Sequence, residues 1–267
     1  QTTTARHCST RAPPPPAPEP TLTATAILAG CQEEEAQDNQ NNIDETAEEA
    51  TQESQETERS LSDIETDDES LSEVVDEAEE IESYQAVLDL EAVVDGGAPE
   101  KLEADVRFKD GDPPSLHLKS EGEDRTISKD GETYYNNGTE WIDISDSVGA
   151  DQLYHVTYEN AIHSFAEIKS ELEAVEEDDT VVYSFEGEND DVFKTFEALF
   201  AVEFGAIDTS AIKNDVEIVV GKEDMLIQSI EYDAEGEDEE GEYELSGDVE
   251  FTSFNDVGEI ELPEAVQ

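Results

Sequence analysis

Leu102-Glu103-Ala104-Asp105-Val106-Arg107-Phe108 places an apolar side chain at every second position and a charged one at each position between. Successive side chains of a strand point to opposite faces, so this stretch predicts a β-strand with one dry face and one wet face. Such a strand belongs in an antiparallel sheet, because parallel sheets are covered on both sides. The same signal continues downstream, where Leu116 and Leu118 flank a polar position. Gly111-Asp112-Pro113-Pro114 and Lys129-Asp130-Gly131 supply the turns. The run Tyr134-Tyr135-Asn136-Asn137-Gly138-Thr139-Glu140-Trp141 predicts a tight hairpin, with Asn137-Gly138 taking the positive backbone angles of a type I′ turn. Asn137-Gly138-Thr139 is also the chain's one N-glycosylation sequon, and the turn explains those residues with or without a sugar.

Upstream, Ser70-x-x-Glu73 has capping-box spacing, and Leu71, Val74, Val75, Ala78 and Ile81 form one apolar stripe, which predicts a helix from about Ser70 to Ser83. A β-like pattern follows over 84–94. Downstream, Ala161, Ile162, Phe165, Ile168, Leu172 and Val175 predict an amphipathic helix, and Val192, Phe193, Phe196, Leu199 and Phe200 a second one within 191–204. Val181, Tyr183 and Phe185 alternate as a strand between them. Val216, Ile218 and Val220, the turn Gly221-Lys222-Glu223-Asp224, the run 226–232, and then Tyr243, Leu245, Val249 and Phe251 return to strand periodicity. The fold class this predicts is α+β.

The chain carries 74 Asp and Glu against 13 Lys and Arg in 267 residues, a formal charge of -61. Nucleic acid is excluded as a partner, since phosphate binding needs the opposite sign. Repulsion of this size opposes a compact state in dilute buffer. At about 1 M salt the Debye length falls to roughly 3 Å, which relieves it. The composition is that of a salt-adapted, haloarchaeal-type protein; an acidic calcium buffer or a disordered chain is the alternative. Strand and helix periodicity persisting through the acidic segments argues for the former.

The two cysteines, Cys8 and Cys31, both lie near the N-terminus, so the predicted domain has no disulfide framework. Residues 21–30 read TLTATAILAG, too short a run to span a bilayer and suited to a signal peptide. Leu28-Ala29-Gly30-Cys31 resembles the lipobox of bacterial and archaeal lipoproteins. The resemblance implies lipidation of Cys31, attachment to the membrane and an extracytoplasmic location. The alternative is an incidental cysteine. Between Gln32 and Ile81 there are 21 acidic residues, one basic residue and no aromatic one. Such a composition buries too little apolar surface to offset chain entropy. The expected organisation is therefore a signal peptide over 1–31, a disordered acidic tether over 32–69 and a domain over 70–267.

The layout of that domain, with Ser128-Lys129-Asp130-Gly131-Glu132-Thr133-Tyr134-Tyr135, the hairpin over 216–232 and the extended close Phe254-Asn255-Asp256-Val257-Gly258-Glu259-Ile260-Glu261-Leu262-Pro263, resembles the LolA-like and LppX-like lipoprotein carriers. The resemblance implies a curved, incomplete β-barrel with helices over its concave face and an apolar cavity that shelters acyl chains. Phe165, Phe193, Phe196 and Phe200 would line that cavity; ordinary core packing is the alternative for each of them. The implied function is a monomeric carrier of a lipid-like ligand, with a structural or interaction lipoprotein as the competing reading.

His117, His155 and His163 are scattered without metal-ligand spacing, no carboxylate pair is singled out, and no nucleophile motif or phosphate loop occurs. Neither an enzyme nor a metal or cofactor is expected. Glu235-Gly236-Glu237-Asp238-Glu239-Glu240 lacks the ordered ligand spacing of a calcium loop and reads as a solvated turn.

Overall fold

The computed structural model describes residues 60–93, 96–146, 154–202, 204, 207–237 and 241–266; the Cys31 lipobox, most of the expected tether and Asp238 to Glu240 lie outside them. After a 3-10 turn at Leu61–Asp63 come α1 (Glu69–Ala78), β1 (Ser83–Val93), β2 (Glu100–Lys109), β3 (Ser115–Ser120), β4 (Glu123–Lys129), β5 (Glu132–Asn136) and β6 (Trp141–Asp143). Then follow α2 (Tyr158–Ile168), β7 (Glu173–Glu176), β8 (Thr180–Glu188), α3 (Asp190–Leu199), β9 (Lys213–Gly221), β10 (Ile227–Glu237) and β11 (Glu242–Thr252). The strands form one antiparallel sheet in the order β6-β5-β4-β3-β2-β1-β11-β10-β9-β8-β7, open between β6 and β7. The fold is thus α+β, as the alternation predicts.

Alternation within each strand becomes rows across the sheet. Ala104, Leu88, Val249, Ile230, Ile218 and Tyr183 are successive cross-strand partners from β2 to β8, and all are buried on the helix side. One residue further along each strand stands a row of exposed carboxylates, Glu103, Asp89, Asp248, Glu231 and Glu217. Slipping any pairing by one residue would exchange the rows and bury carboxylates. Leu116 on β3 and Tyr183 on β8 stand six strand spacings apart, roughly 29 Å on a flat sheet at about 4.8 Å per strand. Both nevertheless belong to one buried cluster with helices about 15 Å long. The sheet therefore curves around the helix layer as an incomplete barrel.

Several local expectations are corrected. Ser70 is not the cap of α1: Asp68 is, its carboxylate accepting from the Leu71 amide at 2.9 Å and from the Ser70 hydroxyl at 2.7 Å. Helix α1 stops at Ala78, short of Ile81. Packed structure begins ahead of Ser70, since Leu61 is buried in the core. The helix expected over 161–175 ends at Ile168, and a 3-10 turn then leads into β7, where Val175 is 56% exposed on the sheet edge. Leu172 and Val175 keep helical spacing by coincidence; Leu172 closes the 3-10 turn and pairing with β8 decides the conformation of Val175. Helix α3 covers Asp190–Leu199, with Ala201 reversing the chain at φ 51° before Phe204. Asn137-Gly138 is not a two-residue turn, because Asn136 pairs with Trp141 and four residues intervene. The type I′ angles occur at Asp130 (φ 53°) and Gly131 (φ 81°), between the partners Lys129 and Glu132.

The extended close becomes a strap. Asn255, at φ 56°, donates its amide to the Ser83 carbonyl (2.8 Å), accepts from the Glu82 amide (2.7 Å) and donates its side chain to the Glu80 carbonyl (3.1 Å). The chain then crosses the face away from the helices, where Arg107 donates to the Gly258 carbonyl (3.4 Å) and Lys129 to Glu259 (2.9 Å). Ile127, Val257 and Ile260 are buried on this side, apart from the main core.

Two outcomes follow from these contacts. Partial desolvation by its strand neighbours, and then the nearby Glu231, Asp233 and Asp89 carboxylates, push the exposed Asp248 carboxyl of the outer carboxylate row above the usual range. Each of the four like-charge contacts along that row costs a few tenths of a kcal/mol or more. Screening them is expected to raise stability by about 2 kcal/mol and the thermal midpoint by roughly 4–8 °C, read by circular dichroism between low and molar salt; a midpoint indifferent to salt would contradict this. Hydrogen bonds from Ser70 and Leu71 and the Lys169 ammonium hold the Asp68 carboxyl at about 2, against an ordinary 3.8. Its folded value lies below its unfolded one, so its contribution is complete above about pH 4 and is lost as pH falls toward 2. Asp68→Ala should cost about 1 kcal/mol at neutral pH, and urea titrations should show the gap from the parent protein closing in acid.

Candidate functional site

The candidate site is the meeting of the helix layer with the inner face of the sheet. Helix α2 turns Tyr158, Ala161, Ile162, Phe165 and Ile168 inward, and α3 turns Val192, Phe193, Phe196 and Leu199. Their i, i+3, i+4 spacing on short, polar-backed helices brings these side chains onto the strands. Thr157 caps α2 through the Asn160 amide (3.1 Å), and Asn189 caps α3 through Asp191 (2.9 Å) and Val192 (3.3 Å).

Phe165, Phe193, Phe196 and Phe200 are all buried, but in two places. Phe165 meets Tyr183 of β8 edge-on at 5.0 Å. The other three gather over β10 and β11: Phe196 stacks on Tyr232 at 4.2 Å with 16° between planes, Phe200 lies 6.1 Å from Phe196, and Phe193 packs against Phe204 at 5.8 Å. Phe200 stands directly on Gly247 of β11, where an added Cβ would come within 2.4 Å of its ring. A second aromatic group, Tyr84, Tyr158, Phe251 and Phe254, joins the start of α2 to β1 and β11, with centroids 5.1–5.9 Å apart. These contacts pack ring on ring. A groove of about 290 Å³ lies between the segment at Leu61 to Thr66 and α1, and none of the four phenylalanines lines it.

Directed bonds between the layers cluster at the helix N-termini. The Tyr158 amide donates to the Tyr84 hydroxyl (3.2 Å), and the Tyr158 hydroxyl accepts from the Ile227 amide (3.0 Å). Ser70 at the start of α1 receives the Tyr183 hydroxyl (3.4 Å). Asn214 of β9, 1% exposed, donates to the Asn189 carbonyl at the start of α3 (3.3 Å) and accepts from the Tyr232 hydroxyl (2.7 Å). Burial pushes the hydroxyls of Tyr84, Tyr158 and Tyr232 well above the usual tyrosine range, so they remain neutral hydrogen-bonding groups. The Tyr154 hydroxyl and His163 Nε2 are buried and have no hydrogen-bond partner among the described residues. Sequence reasoning singled out the four phenylalanines and missed Tyr84, Tyr158, Asn214 and Gly247. Each of these acts through a residue tens of positions away, and no local pattern marks such a contact.

Among the described residues, no group of three His, Cys, Asp or Glu side chains could hold a metal ion. His117 pairs with Asp124 at 2.8 Å on the outer face, far in sequence and on the opposite side from His163. No helix among the described residues is long and apolar enough to cross a membrane.

No protein-family model matches the chain, and no curated protein matches it. Among solved structures, the chain is similar to the crystal structure of a LolA superfamily protein from Nitrosomonas europaea. The identity is 13%, 73% of this chain and 96% of that one are covered, and the TM-score is 0.26.

The contact of Phe200 with Gly247 makes a direct test of the packing. Gly247→Ala alone should destabilise by about 1–3 kcal/mol through overpacking. In Phe200→Ala, which is itself costly, the added methyl should cost little or nothing. A double-mutant cycle in urea that showed simple additivity would mean the two residues do not touch.

Proposed function

We propose that this protein is a lipoprotein, anchored by Cys31 at the extracytoplasmic face of the cell membrane, whose domain shelters a lipid-like apolar ligand between the helix layer and the curved sheet. The observation that carries this reading is the distribution of bonds between the layers. Directed hydrogen bonds hold each helix at its N-terminal end, whereas the rest of α2 and α3 meets the sheet through apolar and aromatic side chains. Apolar contact is non-directional and roughly proportional to area. An acyl or isoprenoid chain can therefore replace apolar helix side chains against the sheet without breaking these hydrogen bonds. The helices lift about their tethered ends, and Phe165, Phe193, Phe196 and Phe200 turn from core residues into lining. Because the sheet is open, such a movement does not have to stretch a closed barrel.

The ring contacts themselves favour a second reading, in which the core stays filled and the domain serves as a structural or interaction lipoprotein of the envelope. Phe196 on Tyr232 and Phe200 on Gly247 leave no slack at those points.

Native mass spectrometry of the full chain purified from its own membranes separates the two. The carrier reading expects a co-purifying apolar molecule, released by organic solvent and rebound by the emptied protein. Repeated preparations without one would leave the filled-core reading standing. Cys31→Ser should move the protein from the membrane fraction to the soluble one and remove the lipid mass, and a variant that stayed on the membrane would contradict the anchor.

A further inference from the structure

We propose that Asn137 is an N-glycosylation site, modified by a lipid-linked saccharide donor; this rests on the export of the chain put forward above. The sequon Asn137-Gly138-Thr139 occupies the four-residue connection from β5 to β6, and all of 137–140 is exposed. Its geometry presents the acceptor. The Asn137 Oδ1 accepts from the backbone amides of Thr139 and Glu140, both at 2.9 Å, so the side chain is fixed in an Asx turn with its oxygen inward and Nδ2 turned outward. Gly138, at φ 89°, reverses the chain and leaves open space around the turn, with the Arg125 guanidinium 4.0 Å from where a Cβ would stand. The turn is built from the Asn137 oxygen and main-chain amides, so the amide nitrogen and the Thr139 hydroxyl, the two groups a sequon supplies, are not what holds it together.

The position also tolerates bulk. Strand β6 is one of the two open edges of the sheet, and Ile142 on it is 38% exposed. Unpaired edges invite strand addition from other chains. Among the described residues no strand flanks β6 on its open side, so a saccharide there meets solvent and obstructs that pairing. In the transfer, Asn137 Nδ2 bonds to the anomeric carbon of the first sugar. The bond from that carbon to the donor's phosphate oxygen breaks, the lipid phosphate departs with the electron pair, and the amide gives up one proton. Nothing is oxidised or reduced.

The test is peptide mass spectrometry on the full chain expressed in its own cells and recovered from membrane and soluble fractions. Cleavage at Lys129 and Lys169 isolates residues 130–169. The wild-type and Thr139→Ser peptides are expected to carry a saccharide mass that is absent from Asn137→Gln and Thr139→Ala. Thr139→Ala is the informative variant, because it leaves the Asx turn intact. A bare peptide from protein that is membrane-bound and lipidated at Cys31 overturns the glycan alone. A bare peptide from soluble, unlipidated protein overturns the export reading with it. Sugar retained in Asn137→Gln places the modification elsewhere and also defeats the proposal.

Discussion

The fold depends on keeping two kinds of side chain one residue apart across the whole curved sheet. Ala104, Leu88, Val249, Ile230, Ile218 and Tyr183 face the helices in one row, while Glu103, Asp89, Asp248, Glu231 and Glu217 face away in the next. Burying the first row supplies the hydrophobic driving force. The second row opposes it through like charges set directly across from one another. The same register therefore fixes the pairing, since a slip buries carboxylates, and ties the stability of the fold to the ions around it.

Placed on that sheet, the helices act as a cover fastened along one side. Tyr84, Tyr158, Tyr183 and Asn214 supply the fastening, and the bonds of Tyr84 and Tyr158 are made in a dry place, where such bonds are strong and costly to lose. Beyond those points the contact is largely apolar. The face away from the helices is also fastened, by Asn255 and the strap behind it, with Arg107 and Lys129 holding the strap to β2 and β4. The sheet is thus strapped by directed bonds on its outer side and covered by a packed apolar layer on its inner side.

Much of this architecture was legible in the chain. The alternation in β1, β2, β3, β9, β10 and β11 was readable because each of these strands has one wet face, and charged residues mark it. Helix α3 was readable because its apolar stripe stands against acidic neighbours. The end of α2 was not, because Leu172 and Val175 satisfy helical spacing while Leu172 ends a 3-10 turn and the backbone of Val175 pairs with β8. Asn137-Gly138 has the composition of a two-residue turn, yet the register of β5 against β6 leaves four residues to connect. Asp68, rather than Ser70, caps α1, and both have the chemistry to do so.

The sequence by itself determined which residues are dry and which are wet, the strand and helix content that this demands, and the acidity that makes screening necessary. These are properties of short windows, set by the period of the backbone. Only the tertiary structure decided that Phe196 would lie on Tyr232, that Phe200 would stand on Gly247, and that Phe165 would sit apart from the other three phenylalanines. Those contacts join residues far apart in the chain, and their geometry follows from the curvature of the sheet and the crossing of the helices, which no local pattern encodes.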